Sequence, residues 1–117
     1  MDTLHRVVDA HGTVVLDQLR FARSIRTRVK GLLGRRELAE GEGLGFREKS
    51  IHMFFMRMPL DIVFCDGAMR VVKVVPELAP WKLAGCGSAR YVLEIGPGEA
   101  GRLGLAPGSL LTVDPPL

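Results

Sequence analysis

The chain has 117 residues, which is the size of one ordinary domain, and we treat residues 1–117 as a single domain. Apolar residues make up 47% of it and charged residues 25%, a globular composition that excludes a disordered chain. No apolar run reaches the roughly 18 residues that a membrane-spanning helix needs. The first residues lack the apolar core of a signal peptide, so the sequence predicts a cytoplasmic protein.

The predicted elements begin with a short hairpin. Leu4–Val8 and Thr13–Leu16 are apolar segments on either side of a turn at Gly12, which indicates two paired strands. His5 and His11 belong to this hairpin, and we expect both to be solvated.

A basic helix is predicted next. From Ser24 to Leu33 the apolar residues recur at helical spacing, and Gly34 is a natural terminator. Residues 20–36 contain no acidic side chain, so the outer face with Arg23, Arg26 and Lys30 is a candidate surface for an acidic partner. No exposed aromatic residue is predicted between the basic ones, which disfavours nucleic acid. A solvated face without a partner is the alternative.

Short strands separated by turns follow the helix. They are predicted at Leu44–Phe46, Ile51–Met56, Leu60–Cys65, Arg70–Val75, Arg90–Ile95 and Ser109–Val113, with a short helix near Glu99–Leu103. Leu60–Cys65 and Arg70–Val75 are predicted to form a hairpin, and we expect it to share one sheet with the first hairpin and Arg90–Ile95. Residues 76–88 are predicted to be a long loop anchored by Trp81. This pattern favours a mainly β (α+β) fold, a small antiparallel sandwich or barrel-like sheet with one packed N-terminal amphipathic helix and a short C-terminal helix.

The predicted core combines apolar residues of the helix and of the strands. Its members are Ile25, Val29, Leu32, Phe46, Phe55, Ile62, Phe64, Val72, Val74, Val92, Leu93 and Leu111. The aromatic and methionine residues between Met53 and Met58 are also predicted to be mostly core, because methionine fills irregular gaps. Adjacent residues of a strand face opposite ways, so the alternative is that some of this set line a groove or a partner contact.

Segment 50–66 is the most informative part of the chain. It is almost continuously apolar, as in a strand buried on both faces, yet it contains His52, Arg57 and Asp61. An unpaired buried charge costs several kcal/mol, so these side chains either pair or line a cavity. Asp61 is predicted to accept hydrogen bonds from backbone amides near Pro59, or from an arginine, either Arg57 or Arg90. The predicted ligand-binding residues are His52, Met56, Arg57, Asp61 and Trp81.

Other motifs predict no cofactor or metal. Gly96–Gly101 matches a glycine-rich dinucleotide pattern, but too few residues follow it for a βαβ unit. Cys65 and Cys86 fit neither metal-ligand nor redox spacing; we expect Cys65 to be buried, Cys86 accessible, and no disulfide between them. A catalytic set of His52, Asp61 and Cys65 has no supporting spacing.

Several short segments, taken in order, resemble the family called domain of unknown function 192. They are Arg28–Arg35, Gly41–Leu44, Phe55–Phe64, Val71–Pro76, Tyr91–Glu94 and Gly104–Gly108, within a match from about Thr3 to Val113. Two positions depart from the family's pattern. Phe55 stands where tryptophan is common, and Gly67 comes earlier in its loop than the usual Asp-Gly. The resemblance implies a mainly β domain and no defined activity.

We therefore predict a non-enzymatic binding or accessory module with a small-ligand or peptide pocket near the His52–Asp61 segment. One alternative is a hydrolase-like or acyl-substrate enzyme with His52 as acid or base. A solvent-open cleft that joins His52 to a second titratable group would favour it. The other alternative is an interaction protein that docks through the Arg-rich segment 20–36.

Overall fold

The computed structural model describes residues 3–22, 35 and 37–117, which form nine strands and one short helix. The elements are β1 Leu4–Val8, β2 Val14–Phe21, β3 Glu42–Phe46, β4 Ser50–His52, β5 Leu60–Cys65, β6 Val71–Leu78, β7 Leu83–Gly85, β8 Tyr91–Ile95, α1 Glu99–Arg102 and β9 Thr112–Asp114. No helix among these residues is long and apolar enough to cross a membrane.

Seven strands form one mixed sheet in the order β6-β5-β8-β3-β2-β1-β9. β2 and β3 run parallel, whereas the other neighbouring pairs are antiparallel. The sheet curls until its two edges meet at one end. There the Val71 amide donates to the Ser109 carbonyl (2.8 Å) and the Leu111 amide donates to the Met69 carbonyl (3.0 Å). β4 and β7 form a separate two-stranded ribbon.

The predicted fold class is wrong in its architecture. A sandwich or antiparallel barrel with a packed N-terminal helix was expected, but the described residues form one curled half-barrel sheet that contains a parallel pair. The only helix in the described part of the chain is α1, close to the short C-terminal helix expected there. The predicted helix, with Arg23, Arg26 and Lys30, lies outside the described residues. Strand β2 continues through Phe21, so the first two residues of the Arg-rich segment 20–36 belong to a strand.

The curled sheet has an apolar cluster on each face. One cluster takes residues from both edges of the sheet, including Val7, Val71 and Val113, so it fills the inside of the curl. The other lies outside the curl, where Met53 and Ile51 pack on the sheet. Side chains alternate between the two clusters along β5, and all six residues of this strand are buried. A continuous apolar run is the expected sequence of such a strand.

Most of the predicted strand core is confirmed. Phe46, Ile62, Phe64, Val92, Leu93 and Leu111 are buried, Val72 and Val74 are half-buried, and Ile25, Val29 and Leu32 lie outside the described residues. The prediction is wrong for Phe55, whose side chain is 63% exposed. It is also wrong for His5, which is buried and has its Nδ1 atom 2.5 Å from the Pro115 carbonyl oxygen.

The strand pairing was predicted more accurately than the loops. The first hairpin, the β5–β6 hairpin and β8 belong to one sheet, as expected. The segment 76–88 is not one long loop, because β6 continues through Pro76 to Leu78 and β7 follows at Leu83–Gly85. Trp81 lies in the turn between these strands and is 58% exposed, so it is not a core anchor.

Candidate functional site

Two tight turns lie next to each other at the end of the β4–β7 ribbon. In the first, the Met56 amide donates to the Met53 carbonyl at 3.3 Å, and Phe55 has φ 66°. In the second, the Lys82 amide donates to the Ala79 carbonyl at 3.2 Å, and Trp81 has φ 70°. Each aromatic residue therefore occupies the third position of a turn in which positive φ normally selects glycine.

The second turn has a clear local cause in the sequence. Pro80 precedes Trp81, and proline is favoured at the second position of such turns. The Trp81 amide donates to the Met53 carbonyl at 2.7 Å, which fixes the two turns against each other. A left-handed backbone costs a non-glycine residue about 1–2 kcal/mol. The fold bears this cost twice and leaves both aromatic side chains more than half exposed.

The two turns and the ribbon present a row of rings to solvent, which we call the aromatic row. It consists of Phe55, Trp81, Phe54 and His52. The Phe55 and Trp81 rings are 4.8 Å apart and inclined at 58°; Trp81 and Phe54 are 5.8 Å apart; Phe54 and His52 are 4.6 Å apart and nearly parallel. The Phe54 amide donates to His52 Nδ1 at 3.3 Å, which helps to orient the imidazole.

A pocket of about 450 Å³ adjoins the His52 end of the aromatic row. Its lining residues are Glu48, Ser50, Ile51, His52, Leu83, Ala84 and Gly85. Ser50 lies opposite Gly85 in the ribbon, and His52 lies opposite Leu83, so these four residues share one face. Ile51 and Ala84 pack into the apolar cluster on the other side of the ribbon. The pocket therefore stands over the outer face of the ribbon, where the missing side chain of Gly85 leaves room.

The structure divides the predicted ligand-binding residues into two groups. His52 and Trp81 lie together in the aromatic row. Met56 is buried beneath the neighbouring turn, and Arg57 is exposed just after it. Asp61 lies elsewhere, because its β5 neighbours Leu60 and Ile62 belong to the cluster near the ribbon and Asp61 points to the opposite face.

Asp61 is fully buried and holds three backbone amides. Its Oδ1 atom accepts hydrogen bonds from the amides of Glu77 (2.8 Å) and Gly98 (3.0 Å), and Oδ2 accepts one from Ala100 (2.8 Å). We expected the donors to be backbone amides near Pro59, or Arg57 or Arg90. The donors are instead backbone amides from other parts of the chain.

A bulge and a helix terminus supply these donors. The β5–β6 register changes opposite Asp61, so Pro76 and Glu77 form an irregularity in β6, and Glu77 has φ 48°. Gly98 precedes α1 with φ 84°, and Ala100 lies in its first turn. The carboxylate thus joins β6 to the start of the helix, and its acceptors are engaged within the fold.

The two cysteines are free, and their environments differ. Burial, followed by the nearby charge of Asp66, raises the pKa of the Cys65 thiol to about 12. A hydrogen bond with the Ser88 side chain, supported by the charge of Lys73, lowers the pKa of the half-buried Cys86 thiol. The expectation of a buried Cys65 and a more accessible Cys86 is confirmed.

Sequence reasoning missed several residues of this site. Phe54 and Phe55 were assigned to the core, but they are 37% and 63% exposed, while Met53, Met56 and Met58 are buried as expected. The alternation of positions 50 and 52 in β4 was a signal for the face of Ser50 and His52, but the turn that exposes Phe54 and Phe55 leaves no such signal. Among the described residues, no group of three His, Cys, Asp or Glu side chains is placed to hold a metal ion.

Comparisons with known proteins identify the family. None of the curated proteins matches the chain. A crystal structure from Sinorhizobium meliloti 1021, described as a "putative transcription regulator", is 26% identical over 93% of this chain and 91% of its own, with a TM-score of 0.79. A protein of unknown function from Novosphingobium aromaticivorans DSM 12444 is 29% identical over 95% and 84%, with a TM-score of 0.78. The model of the family DUF192, described as "Uncharacterized ACR", matches residues 6–113, and the chain therefore belongs to this family.

Proposed function

We propose that the protein is a non-enzymatic binding module whose aromatic row and adjoining pocket hold a small ligand or a peptide. One observation carries the proposal: Phe55 and Trp81 are exposed at 63% and 58% in turn positions that favour glycine. Strained backbone of this kind persists where the surrounding structure imposes it, and it concentrates at ligand-binding sites. In a purely structural turn, glycine would relieve about 1–2 kcal/mol of backbone strain and would give up only a ring that is more than half exposed.

The size and chemistry of the pocket support the same function. A volume of about 450 Å³ falls in the range of roughly 300–1,000 Å³ typical of small-molecule sites. The lining combines aliphatic groups with three polar side chains from Glu48, Ser50 and His52. Such sites bind through apolar contact and obtain their orientation from a few polar groups. We also propose that the protein works in the cytoplasm, a reducing compartment in which the thiols of Cys65 and Cys86 would stay free.

Of the predicted binding residues, only those near the ribbon belong to the proposed site. His52 and Trp81 contact the ligand, Met56 supports the turn from below, and Arg57 borders the site. Asp61 acts on the fold rather than on the ligand, because its two oxygens already accept three amides. The acidic partner proposed for the basic segment involves residues outside the described part of the chain.

Fragment mapping by NMR tests the proposal directly. A panel of uncharged aromatic and aliphatic fragments should shift the Trp81 indole and the amides of residues 83–85 in isotope-labelled protein. Gly85→Val should remove these shifts by filling the pocket. Its Cβ would meet nothing closer than 3.5 Å, so the fold should tolerate the change. Fragments that cluster elsewhere, or that bind the Gly85→Val variant equally well, would contradict a site here.

Glycine variants of the two turns distinguish a role in binding from a purely structural role. Phe55→Gly and Trp81→Gly should weaken fragment binding while the free energy of unfolding stays unchanged or rises by up to about 1 kcal/mol, since glycine accepts positive φ without strain. Leu4→Ala, at a 47% exposed apolar residue of β1, serves as the control and should leave binding unchanged. A stability loss of several kcal/mol in both glycine variants would identify the rings as structural.

Catalysis by His52 is the second candidate, because the pocket also contains Glu48 and Ser50. A solvent-open pocket that joins His52 to a second titratable group was the condition that favoured an enzyme. Ser50 and His52 project from the same face of β4 with their Cα atoms about 6.6 Å apart, so the hydroxyl and the imidazole would have to turn toward each other to act as nucleophile and base. Hydrolysis of p-nitrophenyl acetate that disappears in both Ser50→Ala and His52→Gln would establish this candidate over the binding module.

Regulation of transcription, the role named for the Sinorhizobium protein, is not part of the proposal. Binding to DNA depends on Lys and Arg contacts with phosphates. The pocket lining contains one charged side chain, the carboxylate of Glu48, and the cations Arg57 and Lys73 lie only at its borders.

A further inference from the structure

We infer that the ligand of the aromatic row and pocket is an extended peptide with an apolar segment and a basic residue at one end, an inference that rests on the proposed function. The first support is the shape of the site. Glu48, Ser50 and His52 line the pocket together, and the Phe54 ring is stacked on the His52 ring, so these four side chains lie side by side on one face. At about 3.3 Å per residue this face is at most about 20 Å long, the length of six extended residues.

The chemistry along this face changes from one end to the other. Phe55 and Trp81 form an apolar end, where two exposed rings meet at 58°. Leu83, 66% exposed, continues the apolar surface toward the pocket. Glu48 supplies a carboxylate at the far end of the lining. A ligand that matches this order carries an aromatic or aliphatic side chain at one end, a smaller apolar side chain over Gly85, and a cation near Glu48.

A peptide fits this surface better than a saccharide does. Each sugar ring presents several hydroxyl groups, which need many polar partners. The pocket offers only three polar side chains, and its other lining residues, Ile51, Leu83, Ala84 and Gly85, have no polar side chain. Pockets that receive alternate side chains of an extended chain are a recurring mode of peptide recognition.

Lys73 lies near the Glu48 end of this face, where its positive charge disfavours a cation of the ligand. Its Nζ atom donates to the Gly85 carbonyl at 2.8 Å, so its position is fixed beside the pocket. The charges of Glu48 and Lys73 partly offset each other. Removing Lys73 should therefore strengthen binding of a basic peptide, whereas removing Glu48 should weaken it.

Synthetic peptides test the inference through the fluorescence of Trp81, the one tryptophan of the chain. The probe is acetyl-Phe-Ser-Leu-Ser-Thr-Lys-amide together with its reversed sequence, at low salt. At least one orientation should give a saturable change in Trp81 emission. Replacing the peptide lysine by glutamate should weaken binding about 5-fold, the size of an exposed ion pair. Replacing its Phe and Leu by serine should abolish binding.

Charge exchange in the protein provides the matched control. Glu48→Lys should reverse the preference, so that the glutamate peptide binds more tightly than the lysine peptide, and Lys73→Met should tighten the lysine peptide about 2-fold. Equal affinity for both peptides in the wild type, or a preference that Glu48→Lys leaves unchanged, would overturn the inference. Binding of cellohexaose in place of both peptides would also overturn it, and would assign the face to saccharides.

The two proposals fail in different ways. If fragments cluster at the pocket and are displaced by Gly85→Val but no peptide binds, the inference about peptides is wrong and the binding site stands. If neither fragments nor peptides perturb Trp81 and residues 83–85, the proposed site itself is wrong.

Discussion

Replacing Asp61 by asparagine tests how the buried carboxylate holds three parts of the fold together. The Asp61 carboxylate accepts the Glu77 and Gly98 amides at Oδ1 and the Ala100 amide at Oδ2. Asparagine has one acceptor oxygen. If that oxygen keeps Glu77 and Gly98, the NH₂ group faces the Ala100 amide, and two donors oppose each other at a buried position. The flipped side chain would lose two bonds instead of one.

The magnitude follows from the better of these two orientations. A hydrogen bond to a charged group contributes about 1.5–3 kcal/mol, and a buried donor without an acceptor costs about 1–3 kcal/mol. These effects overlap for the single Ala100 amide. We therefore expect Asp61→Asn to lower the free energy of unfolding by about 2–4 kcal/mol, a large share of the roughly 5–15 kcal/mol that a domain has.

Equilibrium unfolding in urea measures this loss, and Asp66→Asn is the matched control. Asp66 also accepts two backbone amides, those of Ala68 (2.9 Å) and Arg70 (3.0 Å), but both bonds go to Oδ1. Asparagine can keep both bonds there, so the control should lose less than about 1 kcal/mol. An Asp61→Asn loss no larger than that of Asp66→Asn would refute the argument. If Asp61→Asn kept normal stability but lost fragment binding, Asp61 would belong to the ligand-binding site.

Three further predictions concern the core and the thiols. Phe64→Ala should cost about 3–5 kcal/mol in urea unfolding, because the ring is fully buried; a loss below about 1 kcal/mol would contradict the assigned strand faces. Ellman's reagent should label one thiol in the native protein and two in urea, and Cys86→Ser should abolish the native reaction; prompt native labelling of Cys65 would contradict its burial. The raised pKa of Cys65, about 12, keeps its proton in the folded state while the unfolded chain loses it above about pH 8.5. The buried Cys65 thiol therefore contributes its full stability below that pH, and the free energy of unfolding falls by about 1.4 kcal/mol for each pH unit above it, up to about pH 12. Cys65→Ala should reduce this slope when unfolding is measured from pH 8 to 11.

Strand positions were largely predictable because their cause is local. The apolar run Leu60–Cys65 and the β-branched run that follows it predicted the central hairpin, and both were found at nearly the expected bounds. The parallel pairing of β2 with β3 was not predictable in this way. Which two strands pair depends on where the connecting segment brings the chain back to the sheet. No local pattern in β2 or β3 specifies that position.

The aromatic row shows where local reasoning fails. Five neighbouring apolar residues, Met53–Met56 and Met58, predicted a core segment by composition alone. The methionines are buried, but the turn at Met53–Met56 directs Phe54 and Phe55 outward, and the turn after Pro80 brings Trp81 beside them. Exposure was decided by two turns 26 positions apart that share the Met53 carbonyl, a contact invisible in either segment by itself.

By itself, the sequence determined most of the strands, the family resemblance, and the need of Asp61 for partners. A carboxylate between leucine and isoleucine in an apolar strand must be satisfied wherever the strand is buried. Only the tertiary structure decided which groups satisfy it. The three amides come from residues 16, 37 and 39 positions away, and they converge because a bulge in β6 and the start of α1 both meet β5 at the same point. Backbone amides are present in almost every residue, so the sequence contains no mark of the ones that will be used.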